Sequence, residues 1–215
     1  MTCSHCCDAN NFFDTKNAEK ELKKYLKKGA AGTTKKLIKS LEQVDFSDKT
    51  LLDIGGGIGM LQWNFLQNGG SLTTDIDASK GYLAIAKKYA EENDWSNKTT
   101  FIEGDFNDHA SDLTSFNIVT LDRVVCCYPD YKKILTNAAA KSTEYLALSY
   151  PISNWFSIAF NKMGRLYFLL KKSAFKTYIH PSKQIKSLLY SNGFEEVHAS
   201  IKFPWNIQLY KRIAS

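Results

Sequence analysis

Asp53 stands in the apolar run Leu51-Leu52-Asp53-Ile54 and is followed by Gly55, Gly57 and Gly59 at alternate positions. Glycine has no side-chain clash at positive φ and lets a ligand approach the backbone, so these residues predict a tight passage from a strand into a helix opening at Ile58. A dinucleotide fingerprint requires one more glycine, and counting from Gly55 and Gly57 that slot holds Met60. Charge argues the same way, because a carboxylate at Asp53 repels a pyrophosphate and attracts an ammonium or a sulfonium. The chemistry this loop suits is transfer of a methyl group from the sulfonium cofactor S-adenosylmethionine. A glycine-rich turn with no ligand is the plain alternative.

A second strand, Ser71 to Asp77, also ends in acid and precedes a helical run from Gly81 to Glu92. Asp77 is the candidate acceptor for ribose hydroxyls, with Ser79 as cap of the helix that follows. Asp75 is the alternative, and a solvated strand end is the plain account of it. A third strand around Thr99 to Ile102 leads into Glu103-Gly104-Asp105-Phe106, where Asp105 offers a carboxylate to an adenine amino group and Phe106 a ring to cover the base. Gly and Asp also dominate ordinary turns. The fourth strand, Phe116 to Asp122, ends in the acid Asp122, and Cys126 and Cys127 follow it. Those thiols either shape the site or are small buried residues.

Asp53-x-Gly55-x-Gly57-x-Gly59, Asp77, Gly104-Asp105 and the strand ending at Asp122 resemble, in that order, the class I methyltransferases over residues 50–149. The resemblance implies a doubly wound, Rossmann-like α/β fold with a seven-stranded, mostly parallel sheet, an antiparallel last strand and helices on both faces. It also implies that the methionine end of the cofactor lies at the glycine loop and Asp122, and the adenine end at Asp105. The segment Arg123 to Asp130, with Phe175 to Pro181, resembles relatives of the magnesium-protoporphyrin O-methyltransferases, which methylate a propionate carboxylate. Where those enzymes carry a histidine after the fourth strand, this chain has Cys126.

That resemblance implies an oxygen acceptor, a carboxylate or hydroxyl, on a small or amphipathic molecule. A carboxylate needs no base, whereas a phenol or thiol does, and His180, Tyr128 and Tyr150 are the catalytic candidates. A His-Pro pair is equally an ordinary helix start. An RNA- or protein-directed methyltransferase and a non-catalytic S-adenosylmethionine-binding scaffold are the alternatives. The step Leu121-Asp122-Arg123 lacks the Asn/Asp-Pro-Pro-aromatic signature that positions a planar exocyclic amine, which counts against adenine methylation and leaves no strong nucleic-acid signal.

With 215 residues and 44% hydrophobic content, the chain has the size and composition of a single domain. Residues 1–45 read as an amino-terminal helical cap, 46–150 as the cofactor-binding core, 151–180 as an aromatic helical lid, and 181–215 as a closing helix and hairpin. The cap divides into helices Asn11 to Lys28 and Thr33 to Gln43, and the closing part into helix Pro181 to Asn192 and strands Glu195 to Ile201 and Trp205 to Tyr210. The net charge of +6 comes mainly from the flanks, where lysines at helical spacing fit solvated faces. Trp155, Phe156, Phe160, Tyr167 and Phe168, with Lys162 and Arg165 among them, are too interrupted to span a bilayer but suit a lid over an apolar or porphyrin-like acceptor, or membrane-surface contact through 150–172. With no apolar leader, a cytoplasmic, reduced chain is expected, and Cys3, Cys6 and Cys7 are either a soft-metal site or unpaired thiols.

Overall fold

The structure, a computed structural model, describes residues 14–154 and 176–213. Apolar β-branched and leucine runs form β1 (Thr50–Ile54), β2 (Leu72–Asp77), β3 (Thr99–Glu103), β4 (Phe116–Asp122) and β5 (Ser142–Pro151), which pair in parallel. The hairpin β6 (Phe194–Lys202) and β7 (Trp205–Arg212) closes the sheet, with β7 antiparallel to β5. The strand order is β3-β2-β1-β4-β5-β7-β6. Because the chain leaves β1 toward β2 on one side and returns to β4 on the other, a crevice opens at the carboxyl ends of β1 and β4, where such sheets bind ligands.

Side chains alternate across each strand. Leu52, Ile54, Val119, Leu121, Leu146, Leu148 and Tyr150 face a core with Phe106 of the short helix α5 (Phe106–His109), helix α6 (Tyr131–Lys141) and helix α7 (Ser182–Ser191). Leu51, Ile118 and Ala147 face the opposite core, with Leu37 and Leu41 of helix α2 (Gly32–Leu41) and Phe65 of helix α3 (Met60–Gln67). The strand-paired Asp53, Asp75 and Thr120 lie on this same face as Leu51 and Ile118, toward the carboxyl ends of their strands.

Helix α1 (Thr15–Lys28) begins later than the expected Asn11, because the Asp14 side chain accepts the Asn17 N–H at 2.8 Å and caps it; residues 11–13 lie outside the described part. Tyr25 of α1 meets Trp63 at 5.1 Å, and Trp63 stacks at 3.8 Å on Tyr89 of helix α4 (Lys80–Glu92). This aromatic cluster fastens the amino-terminal helix to α3 and α4. Helix α2 spans slightly less than the expected Thr33 to Gln43 at its far end. Helix α3 opens at Met60, not Ile58, since Gly59 is its left-handed cap and donates to Gly56 O at 3.0 Å. No helix among the described residues is long and apolar enough to cross a membrane. The aromatic stretch 155–175, most of the expected lid, lies outside the described residues, as do Cys3, Cys6 and Cys7.

Candidate functional site

The carboxyl ends of β1, β2 and β4 surround a cavity of about 350 Å³. This lies within the roughly 300–1,000 Å³ of small-molecule sites. Gly55, Gly57 and Gly59 all adopt positive φ, at 65°, 62° and 93°, as the alternating spacing requires. Gly56, between them, is needed for a different reason. A Cβ there would lie 2.6 Å from Gln62 Nε2, 2.7 Å from Asp75 Oδ1 and 2.8 Å from Asp53 Oδ2, so the loop lies directly over three buried polar side chains.

Asp53 is 1% exposed. It accepts a hydrogen bond from Thr120 Oγ1 at 2.6 Å and a long one from Gln62 Nε2 at 3.4 Å. Burial pushes its carboxyl up to about 7 against the lowering effect of these two donors. Asp75, its partner in the β1–β2 register, is 0% exposed, and burial and the neighbouring Asp53 charge raise its carboxyl well above the ordinary range. The solvated strand end weighed for Asp75 is therefore corrected: its carboxyl lies directly beneath the glycine loop, 2.7 Å from where a Cβ at Gly56 would stand, and the loop shuts it off from water.

Asp77 ends β2 and ties the loop to α4, its Oδ2 accepting Gly57 N–H at 3.0 Å and its Oδ1 accepting Ser79 N–H at 2.7 Å. Ser79 in turn caps α4 by accepting Tyr82 N–H at 3.2 Å, as expected. Both oxygens of Asp77 retain lone pairs, and burial raises its carboxyl. Asp105 Oδ1 accepts Asn107 N–H at 2.9 Å and the Tyr128 hydroxyl at 2.8 Å. Phe106, beside it, is a member of the α6-side core and also lines the cavity. Asp122 accepts from Ser149 Oγ and from Thr34 Oγ1, each at 2.5 Å, so α2 is fastened to the end of β4.

Of the three catalytic candidates, Tyr128 alone lines the cavity, and its hydroxyl is given to Asp105. His180 is 7% exposed behind the wall, with Nε2 bonded to Tyr128 O at 2.9 Å and its ring 4.5 Å from Tyr131. Burial holds its imidazole below the usual range. Tyr150 is 1% exposed in the core and donates to Gln208 at 2.7 Å.

Sequence reasoning missed four residues of the wall or its support. Thr120 is a polar residue inside an apolar strand, a signal that was visible. Glu21 and Thr34 arrive from α1 and α2, far away in sequence. Arg123 sits just past β4 at φ 63°, and its backbone N–H donates to Ser149 Oγ at 2.9 Å. Its guanidinium has only loose ion contacts, 3.7 Å to Asp122 and 3.9 Å to Glu21.

The described wall therefore carries five carboxyl groups, Glu21, Asp53, Asp77, Asp105 and Asp122, against the single cation Arg123. That donor set fits a ligand with an ammonium and a sulfonium at one end and hydroxyls in the middle, and it opposes a pyrophosphate. Such a crevice on this strand order defines the S-adenosylmethionine-binding class of doubly wound folds.

Residues 51–142 match the methyltransferase domain family. Among solved structures, the chain is similar to magnesium protoporphyrin IX methyltransferase from Synechocystis with bound SAM, at 18% identity over 98% of each chain and a TM-score of 0.71. With bound SAH the same enzyme gives 21% identity over 84% of this chain and 82% of that one, at a TM-score of 0.69. An O-methyltransferase family protein from Burkholderia thailandensis matches at 14% identity over 85% of this chain and 57% of that one, with a TM-score of 0.68. At these identities the likeness establishes the fold. No curated protein matches in sequence. Residues 51–142 are a methyltransferase domain, the domain type of S-adenosylmethionine-dependent methyltransferases, and the chain as a whole has the fold of the solved methyltransferases.

Proposed function

We propose that this enzyme methylates a carboxylate oxygen of a small amphipathic molecule. The observation that carries the proposal is Arg123. It is the only cation in the described cavity wall, its guanidinium is half-exposed and loosely held, and Val124, Met60 and Trp205 supply apolar surface in the same wall. A guanidinium presents paired donors that match a carboxylate, while the apolar wall accepts the rest of the molecule.

S-adenosylmethionine, when bound, supplies an electrophilic methyl group on its sulfonium. Around it, Gly55, Gly57 and Gly59 bring backbone close to the ligand, Asp53 and Asp122 face its methionine end, Asp77 the ribose hydroxyls, and Asp105 with Phe106 the adenine. Glu21 and Thr34 close the cavity from the amino-terminal helices and exclude water. A carboxylate reaches the site already ionised, so no proton has to leave. This agrees with His180 and Tyr150 lying outside the cavity and with Tyr128 being committed to Asp105. In-line alignment and desolvation then supply the rate. A porphyrin with propionate arms, the kind of acceptor named for the similar Synechocystis enzyme, has this chemistry.

The test uses S-adenosylmethionine labelled in the methyl group, with porphyrins bearing propionates and long-chain monocarboxylates as acceptors. Methyl esters are cleaved by mild alkali and ethers are not. Label transferred to these acceptors and released as methanol supports the proposal, with the acceptor KM raised in Arg123→Gln. Alkali-stable product, or no difference in KM for Arg123→Gln, rejects it.

A further inference from the structure

The methyl-transfer chemistry above uses neither thiol of the adjacent pair Cys126 and Cys127, yet both line the cavity. They lie on the 3-10 turn Val125–Cys127, immediately after Arg123 and Val124. Both sulfurs turn to one acceptor, the carbonyl oxygen of Arg123, at 3.2 Å for Cys126 and 3.7 Å for Cys127. The turn is pinned from a distant part of the chain. Tyr178 N–H donates to Cys126 O at 2.7 Å, and His180 Nε2 meets Tyr128 O at 2.9 Å. The two thiols are therefore held on one side of a fixed turn, where an outside group reaching one sulfur also reaches the other.

Their surroundings make them unequal. The neighbouring thiols act on each other, so that Cys127 ionises more readily and Cys126 less readily than an ordinary cysteine; burial adds to the rise at Cys126, and Arg123 adds a favourable charge at both. Cys126 is buried and Cys127 is half-buried. Direct closure to a disulfide is unfavourable, since neighbouring Cα atoms are about 3.8 Å apart and disulfides prefer roughly 4.4–6.8 Å. An atom inserted between the sulfurs relieves that mismatch, because the single sulfur–sulfur bond is replaced by two bonds to a large, soft centre.

We propose that Cys126 and Cys127 form a dithiol site in the wall of the methyl-transfer cavity for trivalent, thiophilic electrophiles, with trivalent arsenicals as the type. With an organoarsine oxide, the Cys127 thiolate attacks arsenic and the Cys126 thiol follows. Two sulfur–arsenic bonds form, the arsenic–oxygen bond breaks, and the two thiol protons leave with the oxygen as water. Arsenic stays trivalent, so no oxidant or reductant takes part. The bridged group fills the space beside Arg123 and Val124 and obstructs the cavity.

The chain also carries Cys3, Cys6 and Cys7, so the test uses the full-length Cys3→Ser/Cys6→Ser/Cys7→Ser variant as parent. Phenylarsine oxide is added, the adduct is read by intact-mass spectrometry, and S-adenosylhomocysteine affinity is measured before and after. The expected result is one phenylarsenic group per chain with loss of two hydrogens, stable to a monothiol wash and removed by 2,3-dimercaptopropanol. Affinity for S-adenosylhomocysteine falls about tenfold or more in the adduct and returns on removal. The further substitution Cys127→Ser abolishes monothiol-resistant capture. No capture by the parent, capture that persists in the Cys127→Ser variant, or a full adduct with unchanged affinity overturns the proposal. The parent measurement alone decides the first and last of these, whether or not Cys127→Ser folds. None of the readouts depends on which acceptor the enzyme methylates.

Discussion

Cofactor affinity is expected to rise with pH across the range in which Asp53 ionises. In the free protein, burial pushes the Asp53 carboxyl up to about 7 from an ordinary 3.8, although Thr120 and Gln62 donate to it. A ligand ammonium beside Asp53 favours the ionised form, so binding releases a proton whenever that form is the minority. With a midpoint near 7 the ionised fraction is roughly one in eleven at pH 6 and ten in eleven at pH 8, so the dissociation constant is about tenfold larger at pH 6. Asp53→Asn keeps an acceptor for Thr120 and removes the titration, and its affinity should be weaker and flat with pH. Calorimetric titration with S-adenosylhomocysteine in two buffers of different ionisation heat reads both the affinity and the released proton. The same shift bears on stability with a fixed sign. The folded state holds this proton more tightly than the unfolded chain, so stability contributed by neutral Asp53 is lost as pH rises through about 7, and unliganded Asp53→Asn at pH 8 should be no less stable than the parent. A flat profile in the parent, or a slope retained by Asp53→Asn, refutes this reasoning.

Gly56→Ala should destabilise the fold by about 1–3 kcal/mol, the usual cost of overpacking, and abolish cofactor binding, because its Cβ would meet Asp53, Asp75 and Gln62 within 3 Å; chemical denaturation and calorimetry check both. Arg123→Gly should leave stability within about 1 kcal/mol of the parent, since relief of a left-handed backbone offsets the added chain entropy, while the acceptor KM rises. For His180, burial favours the neutral ring in the fold, so its stability contribution is present above about pH 6.5 and is lost on acidification. Urea midpoints taken at about pH 7 and 5 should therefore fall less for His180→Gln than for the parent.

The loop and acids proposed for the cofactor were legible because they are local. Leu51-Leu52-Asp53-Ile54 and the glycines after it fix a strand, a turn and an acid within nine residues, and Asp77 with Ser79 repeats the pattern one strand later. The residues proposed for the acceptor were not, because their placement depends on which way side chains face. Tyr150 was a candidate base, yet the alternation through Leu146 and Leu148 already aligned it with the core. His180 has an ordinary imidazole, and only the packing of its segment on the turn after β4 shows that it supports the wall from behind. Glu21 and Thr34 carry no motif at all, and helices α1 and α2 bring them to the cavity from the far end of the chain. Arg123 looked like the mere end of a strand; its left-handed backbone and its place as the lone cation of the described cavity wall emerge only when β4, α1 and α2 meet.

The central claim is a cofactor site at the carboxyl ends of β1, β2 and β4, and the most direct measurement is calorimetric titration of the protein and Asp77→Ala with S-adenosylmethionine. The account predicts micromolar-range binding, on the order of −8 kcal/mol, for the parent and its loss in Asp77→Ala, which removes the acceptor that orders Gly57 and the group proposed for the ribose. No binding by the parent, or equal binding by Asp77→Ala, would contradict it.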